Sequence, residues 1–329
     1  MADPKEIPLA TVVLEDAGSC SKQGSRPTQQ DRSMMLLPDK FPKRGPNERA
    51  LFMLCDGHGS ARASKHAVSN IPQLILRHPT LAEGNYEDIV QSAICDEEAL
   101  LYDLYRRGDN GLAFAGTTVA VCLLDLTRGL LTVGNLGDSM VFLGEVDTNE
   151  PNKMHVNRIS RLHKPASPRE KNRIEVAGGT VDMDGDTPRI GGLNMSRALG
   201  DLHQKNPPAN SGEEPGDYFS KGNILSSDPT MSQIQLRDDR RYLLVITSDG
   251  VTDMVSDEQL LSAITTLYQS GRSATQVSEM ITTAVSSHDR SDNATCIVAF
   301  FKGRKVKHDR DIPVGKNEPS EQEPTSTTE

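Results

Sequence analysis

Apolar residues in this chain gather into short continuous runs that stop at small or acidic residues, with stretches of helical spacing between them. The run Ala50 to Cys55 is wholly apolar and stops at Asp56-Gly57, the pattern of a buried strand. Similar runs predict strands at 10–14, 34–37, 117–124, 130–135, 140–143, 242–247 and 296–301. The linker Asp125 to Gly129 has the length of a hairpin loop. Helical spacing covers 61–76, where Ala67, Ile71, Leu74 and Ile75 share a face, and Pro72 is expected to kink or break the last turn. A second helix fits 86–107 through Ile89, Ala93, Ile94, Leu100, Leu101 and Leu104, with Arg106-Arg107 and Gly108 suited to its end. A third is expected over 168–177, entered from Ser167 with Pro168 at its first position and closed by Gly178-Gly179. Ser256 and Gln259 form a capping box for a helix from Asp257, and another helix fits 274–285.

Strand pairs joined by short loops imply antiparallel sheets, and helix pairs fall between them. The fold class expected is α+β: a central antiparallel β-sandwich flanked by helices on both outer faces. The stretch 201–222 is rich in Pro, Gly, Asn and charge; a loop that long in a compact domain is functional or disordered. Residues 313–329, rich in Pro, Ser, Thr and Glu, predict a disordered tail. No internal repeat is present.

Composition narrows the classes. A chain of 329 residues can bury a full core, as one large domain or two. Its formal charge of -10 argues against non-specific nucleic-acid binding and against a surface made for anionic lipid. The five cysteines are widely spaced, none with zinc-finger spacing, and read as reduced thiols of an intracellular protein. Met1 to Pro8 lacks an apolar signal core, Ala2 stands where N-myristoylation needs glycine, and no run is long enough to span a membrane. Cytoplasm and nucleus are not distinguished: the basic stretch Arg304, Lys305 and Lys307 reads either as a weak nuclear signal or as a solvated strand end.

The candidate chemistry lies where the apolar runs stop. Asp56-Gly57-His58-Gly59 follows one run, Ser248-Asp249-Gly250 follows another, and Ser291-Asp292-Asn293 precedes a third. Asp-Gly alone is first a turn signal. Two glycines around a histidine after a buried strand weaken that reading for Asp56, because they let backbone approach an ion or ligand, and the Gly57 carbonyl is itself a candidate ligand. For Asp249 turn and ligand stay equally open; for Asp292-Asn293 alone, a loop cap is the simpler reading. Carboxylate and carbonyl oxygens suit Mg²⁺ or Mn²⁺, and paired metals of that kind fit phosphoester hydrolysis. Asp182 to Asp186 is not an EF-hand, since its glycine falls at the fourth position and Leu193 stands at the place of the last Glu. Neither a Walker loop nor a G-x-S-x-G elbow is present.

Taken in order, the motifs resemble the PPM, or type 2C, metal-dependent serine/threonine protein phosphatases over residues 18 to 302. The resemblance is carried by Arg26-Pro27-Thr28-Gln29-Gln30-Asp31, Asp56-Gly57-His58-Gly59, Gly116-Thr117-Thr118, Asn135-Leu136-Gly137-Asp138-Ser139 and His163-Lys164-Pro165. Ala177-Gly178-Gly179, Ser196-Arg197-Ala198-Leu199-Gly200-Asp201, Ser248-Asp249-Gly250-Val251-Thr252-Asp253 and Ser291-Asp292-Asn293-Ala294-Thr295 complete it. It implies an N-terminal segment 1–17, a phosphatase domain 18–302 with a flap near 201–222, and a tail 303–329. It implies two Mg²⁺ or Mn²⁺ ions, bridged by Asp56. The Gly57 carbonyl would serve the second, Asp249 and Asp292 the first, and Asp138 and Asp253 with Asp249 a third. His58 would protonate the leaving oxygen, Arg26 grip the substrate phosphate and Asp31 orient water at the metals.

Three positions depart from the family pattern. Gln30 replaces a glutamate, Leu162 precedes His-Lys-Pro in place of Asp, and Thr252 stands where an aromatic is common. Gln30 contributes no charge, so the second metal is expected to bind more weakly. The expected function is hydrolysis of phosphoserine and phosphothreonine in phosphoprotein substrates by a monomer that binds neither nucleic acid nor membrane. The alternative is a catalytically weak or inactive pseudophosphatase acting as a regulatory binding module.

Overall fold

The structure is a computed structural model and describes residues 11–42, 45–147, 154–205 and 223–306. The chain opens with β1 (Val12–Lys22), β2 (Arg32–Leu36), β3 (Arg49–Cys55), β4 (Gly57–His58), α1 (Arg62–Arg77) and α2 (Tyr86–Arg106). It continues through β5 (Gly116–Thr117), β6 (Val119–Asp125), β7 (Leu130–Leu136), β8 (Met140–Asp147), β9 (Met154–Arg158) and α3 (Pro168–Val176). The last part holds β10 (Leu199–Gly200), β11 (Thr230–Gln235), β12 (Arg240–Thr247), α4 (Asp249–Thr252), α5 (Asp257–Gln269), α6 (Ala274–Ser286) and β13 (Ala294–Gly303).

Two five-stranded sheets, ordered β1-β13-β12-β8-β9 and β11-β7-β6-β3-β2, face each other, and every pairing in them is antiparallel. The period-2 rule explains the layers. In β3, Ala50, Phe52 and Leu54 point between the sheets against Leu244, Ile246 and Ile297. Leu51, Met53 and Cys55 point the other way, against Ala67, Ile71 and Ile75 of α1 and Ile89 of α2. The outer face of the other sheet, with Val245, Cys296 and Val298, packs on Leu260 and Ile264 of α5 and Val277 and Ile281 of α6. The result is the helix–sheet–sheet–helix order expected from the sequence. Fully burying one such Leu or Phe stabilises by about 1.5–3 kcal/mol, which is why the middle of a strand buried on both faces, such as Ala50 to Cys55, is apolar, with polar residues kept to its ends.

Where pattern and structure differ, tertiary pairing is the cause. The strand expected at 10–14 is β1, whose polar and small residues through Lys22 are held by ladder bonds to β13. The sequence pattern misses β9 and β11 because each is an edge strand, mostly half-exposed. Helix α1 runs through Pro72 to Arg77, since Ile71, Pro72 and Ile75 are buried and hold the last turn. The Ser256–Gln259 capping box is present, and Ser273–Gln276 forms a second at α6. Residues 206–222 and 307–329, which include most of the expected flap and the expected tail, lie outside the described residues.

Candidate functional site

Strand ends bring the acidic signatures together. Cys55 of β3 pairs with Arg32 of β2, so Asp31 and Asp56 leave the same end of that sheet. In the facing sheet Thr247 of β12 pairs with Cys296 of β13, which puts Asp249, two residues beyond, near Asp292. Gly250 makes the approach possible: a Cβ there would lie 2.0 Å from the Asn293 carbonyl oxygen. Asn293 staples the Arg26–Asp31 segment to this end, accepting from the Gln30 N–H at 2.7 Å and donating to the carbonyls of Gln23 and Thr28. The Gly116-Thr117-Thr118 motif pins the backbone of Asp56. Its carbonyl accepts from the Thr118 N–H and the Thr117 hydroxyl, and its own N–H donates to the Thr118 hydroxyl. Thr118 shares a 2.7 Å hydrogen bond with Ser139, next to Asp138.

The carboxyl groups of Asp31 and Asp56, and those of Asp56 and Asp249, lie within hydrogen-bonding reach of one another. Burial, then the charges of Asp31, Asp249 and Asp138, pushes the Asp56 carboxyl well above the usual carboxylate range. Burial with Asp138 and Asp253 pushes Asp249 up to about 7. Burial also raises Asp31, although its Oδ2 accepts from the hydroxyls of Ser248 and Thr295 at 2.8 and 2.7 Å. Asp253 is raised by burial, partly offset by Lys164. Crowding like charges in a dry site is unfavourable unless protons or a cation intervene.

The donor set fits a hard divalent cation. Asp31 Oδ1 and Asp138 Oδ1 are buried and accept no hydrogen bond from any described residue. Among the described residues no three His, Cys, Asp or Glu side chains close around one point as a finished cage. The cluster is a chain of carboxyl contacts, with two of its members held by basic side chains: Arg26 lies 2.5 Å from Asp292 Oδ2, and Lys164 lies 2.5 Å from Asp138 Oδ2. Gly57 is buried at the start of β4, and His58 follows it, half-buried, with Nε2 on Asp201.

Several residues to which the sequence assigns no role support the site. Lys164 is the counter-charge of Asp138, and the adjacent His163 fixes the turn that carries Asp138. Its Nδ1 accepts from the Gly137 N–H at 2.9 Å, and burial with Arg197 and Arg173 nearby lowers its pKa to about 3. Glu170 gathers Arg197, Ser196 and Arg173 beneath it; despite burial these hold its carboxyl at about 2. The Ser248 and Thr295 hydroxyls, which flank the second and third signatures, hold Asp31.

The chain is similar to known proteins over most of its length. A family model described as Protein phosphatase 2C matches residues 15–294. Protein phosphatase 2C homolog 2 of Saccharomyces cerevisiae is 28% identical over 266 residues, covering 80% of this chain and 52% of the relative. Probable protein phosphatase 1N of Mus musculus is 30% identical over 293 residues, covering 87% of this chain and 65% of the relative. The chain thus spans about half the length of the yeast protein and just under two thirds of the mouse one. The crystal structure of serine-threonine phosphatase 2C from Toxoplasma gondii superposes with a TM-score of 0.70 at 22% identity, over 89% of this chain and 100% of that one. The antiparallel sandwich, the carboxylates at its strand ends and the matched span lead to one assignment: this chain belongs to the protein phosphatase 2C family.

Proposed function

We propose that this protein hydrolyses phosphoserine and phosphothreonine in phosphoprotein substrates with Mg²⁺ or Mn²⁺, through a domain spanning residues 18–302 whose first strand reaches back to Val12. The observation that carries this reading is the buried Asp31–Asp56–Asp249 chain of carboxyls beside His58, with buried oxygens that no described residue satisfies. Asp56, the Gly57 carbonyl, Asp249 and Asp292 would hold two ions, and Asp138 and Asp253 with Asp249 a third. Bound there, the ions supply charge neutralisation for the phosphate and acidity for a water nucleophile.

The chain's own residues do the rest. Asp31, fixed by the Ser248 and Thr295 hydroxyls, has Oδ1 left to orient the attacking water. Arg26 is 59% exposed at its side chain and can exchange Asp292 for a substrate phosphate, which its fork matches bidentately. His58 protonates the serine or threonine oxygen as it leaves. Phosphothreonine-peptide hydrolysis, with and without Mn²⁺, tests the reading. Metal-dependent turnover is expected; its absence for the intact, folded protein would favour the regulatory binding module, for which Gln30 is the motivating position.

A further inference from the structure

Asp201 is buried, 2% exposed, and its Oδ2 lies 2.6 Å from Nε2 of His58. The other ring nitrogen, Nδ1, is buried and makes no hydrogen bond to any described residue, so a substrate oxygen reaches it only if the ring shifts or its cover opens. We infer that Asp201 is a positioning residue of the reaction: it holds Nε2 of His58 and so makes Nδ1 the nitrogen that serves the leaving oxygen. This inference rests on the phosphatase reading above.

The smallest sheet of the molecule assembles this contact. Its order is β10-β5-β4, and Gly116 of β5 is in register with both His58 of β4 and Gly200 of β10. A Cβ on Gly116 would lie 2.0 Å from Asp201 Oδ2 and 2.4 Å from His58 Nε2. A glycine there leaves the space in which the two side chains meet.

The backbone of Asp201 is constrained as well. It sits at φ 51° and ψ 43°, one of two non-glycine residues with positive φ among those described. Asp and Asn tolerate this region better than most L-residues. The strain is held from several sides. The Asp201 N–H donates to the Ala115 carbonyl at 3.0 Å, and the Gly200 N–H donates to Glu98 Oε2 at 2.9 Å. Glu98 Oε1 is paired with the buried Lys205 at 2.6 Å, and Lys205 also donates to the Ala198 carbonyl. A strained conformation fixed by a buried ion pair, and aimed at one imidazole, points to function.

A ring that gives its Nε2–H to Asp201 can deliver a proton only from Nδ1. In the transfer step, water oxygen forms the new bond to phosphorus. The bond from phosphorus to the serine or threonine oxygen breaks with its electron pair on that oxygen, which takes the Nδ1 proton. The proton released by the water restores the ring.

The test uses two substrates on the full chain with Mn²⁺: a phosphothreonine peptide, whose leaving alkoxide needs a proton, and p-nitrophenyl phosphate, whose leaving group departs as a stabilised anion. Asp201→Asn keeps a residue that tolerates the backbone. It should lower kcat on the peptide by about 10²-fold or more, with KM within about threefold. On p-nitrophenyl phosphate the loss should stay within about fivefold. Gly116→Ala, which intrudes on the contact without altering either partner, should show the same selectivity, and adding Asp201→Asn to His58→Ala should cost nothing further. Equal losses on both substrates, or none on the peptide, would overturn the inference.

If the wild type hydrolyses neither substrate, the phosphatase reading itself fails. The contact is then read from the ¹⁵N spectrum of the His58 ring. A proton on Nε2 in the wild type that moves to Nδ1 in Asp201→Asn supports the hold by Asp201, and unchanged spectra contradict it.

Discussion

The fold treats two parts of the acidic cluster differently. Asp31 and Asp56 meet hydroxyls and other carboxyls, and burial with neighbouring charge raises both. Asp138 and Asp253 face Lys164, whose own charge is favoured by Asp138, Asp249 and Asp253 although burial opposes it. Asp249 belongs to both parts, repelled by Asp138 and relieved by Lys164. A carboxylate that the protein neutralises itself has less need of a cation from solution. On the proposed reading, tighter metal affinity is expected on the Asp31–Asp56–Asp249 side, and the Asp138–Asp253 side should bind a further ion only weakly, against competition from Lys164.

The largest expected effect breaks the first side. Asp56→Ala should reduce turnover of a phosphothreonine peptide by about 10³-fold or more and remove the rise in Tm that Mn²⁺ gives the wild type. Asp253→Ala should leave more turnover than Asp56→Ala; similar losses would show that the two sides are not distinct. Lys164→Met sharpens the comparison from the other direction. Without its counter-charge the metal-free protein should lose roughly 1–3 kcal/mol, and stabilisation by Mn²⁺ should exceed that of the wild type, as read by thermal unfolding with and without metal.

Glu170 of α3 and His163, which holds the turn that carries Asp138, give a pH signature. Folded Glu170 titrates at about 2, below its ordinary value of 4.5, so the unfolded chain binds more protons between them. Its contribution is complete above about pH 4.5 and is lost as pH falls toward about 2. His163, lowered from 6.5 to about 3, works with the same sign over a higher window: stability falls as pH drops below about 6.5. Glu170→Gln should cost on the order of 3 kcal/mol at neutral pH and flatten the acid limb below about pH 4.5, while leaving the decline that begins near 6.5. Denaturant unfolding across pH measures both.

Gln30→Glu should have a smaller effect on the first side, lowering the Mn²⁺ concentration for half-maximal rate several-fold; an unchanged value would remove Gln30 as a limit on metal binding. Ser256→Ala, which removes the α5 capping box without touching the acidic signatures, should cost about 1 kcal/mol of stability and leave the metal requirement as it is.

The sequence made the buried elements legible because burial on both faces favours continuous apolar runs. The run ending at Cys55 is β3, and the Ser256–Gln259 pair caps α5 as its spacing demands. Edge strands such as β9 carried no such signal, and the length of β1 depends on a partner nearly the whole chain away. At the site, the aspartates that cluster were legible from short signatures beside apolar runs. Their management was not. Lys164 reaches Asp138 across 26 positions and Asp201 reaches His58 across 143, contacts that local spacing does not encode. Nor does the sequence reveal that Arg26 lies on Asp292.

The most direct test of the central claim is the rate of phosphothreonine-peptide hydrolysis as Mn²⁺ is titrated into the wild type and into Asp249→Ala. The account predicts saturable, metal-dependent turnover in the wild type and a loss of about 10²-fold or more, with a raised metal requirement, in Asp249→Ala. Turnover that is independent of added and chelated metal, or equal in the two proteins, would contradict it.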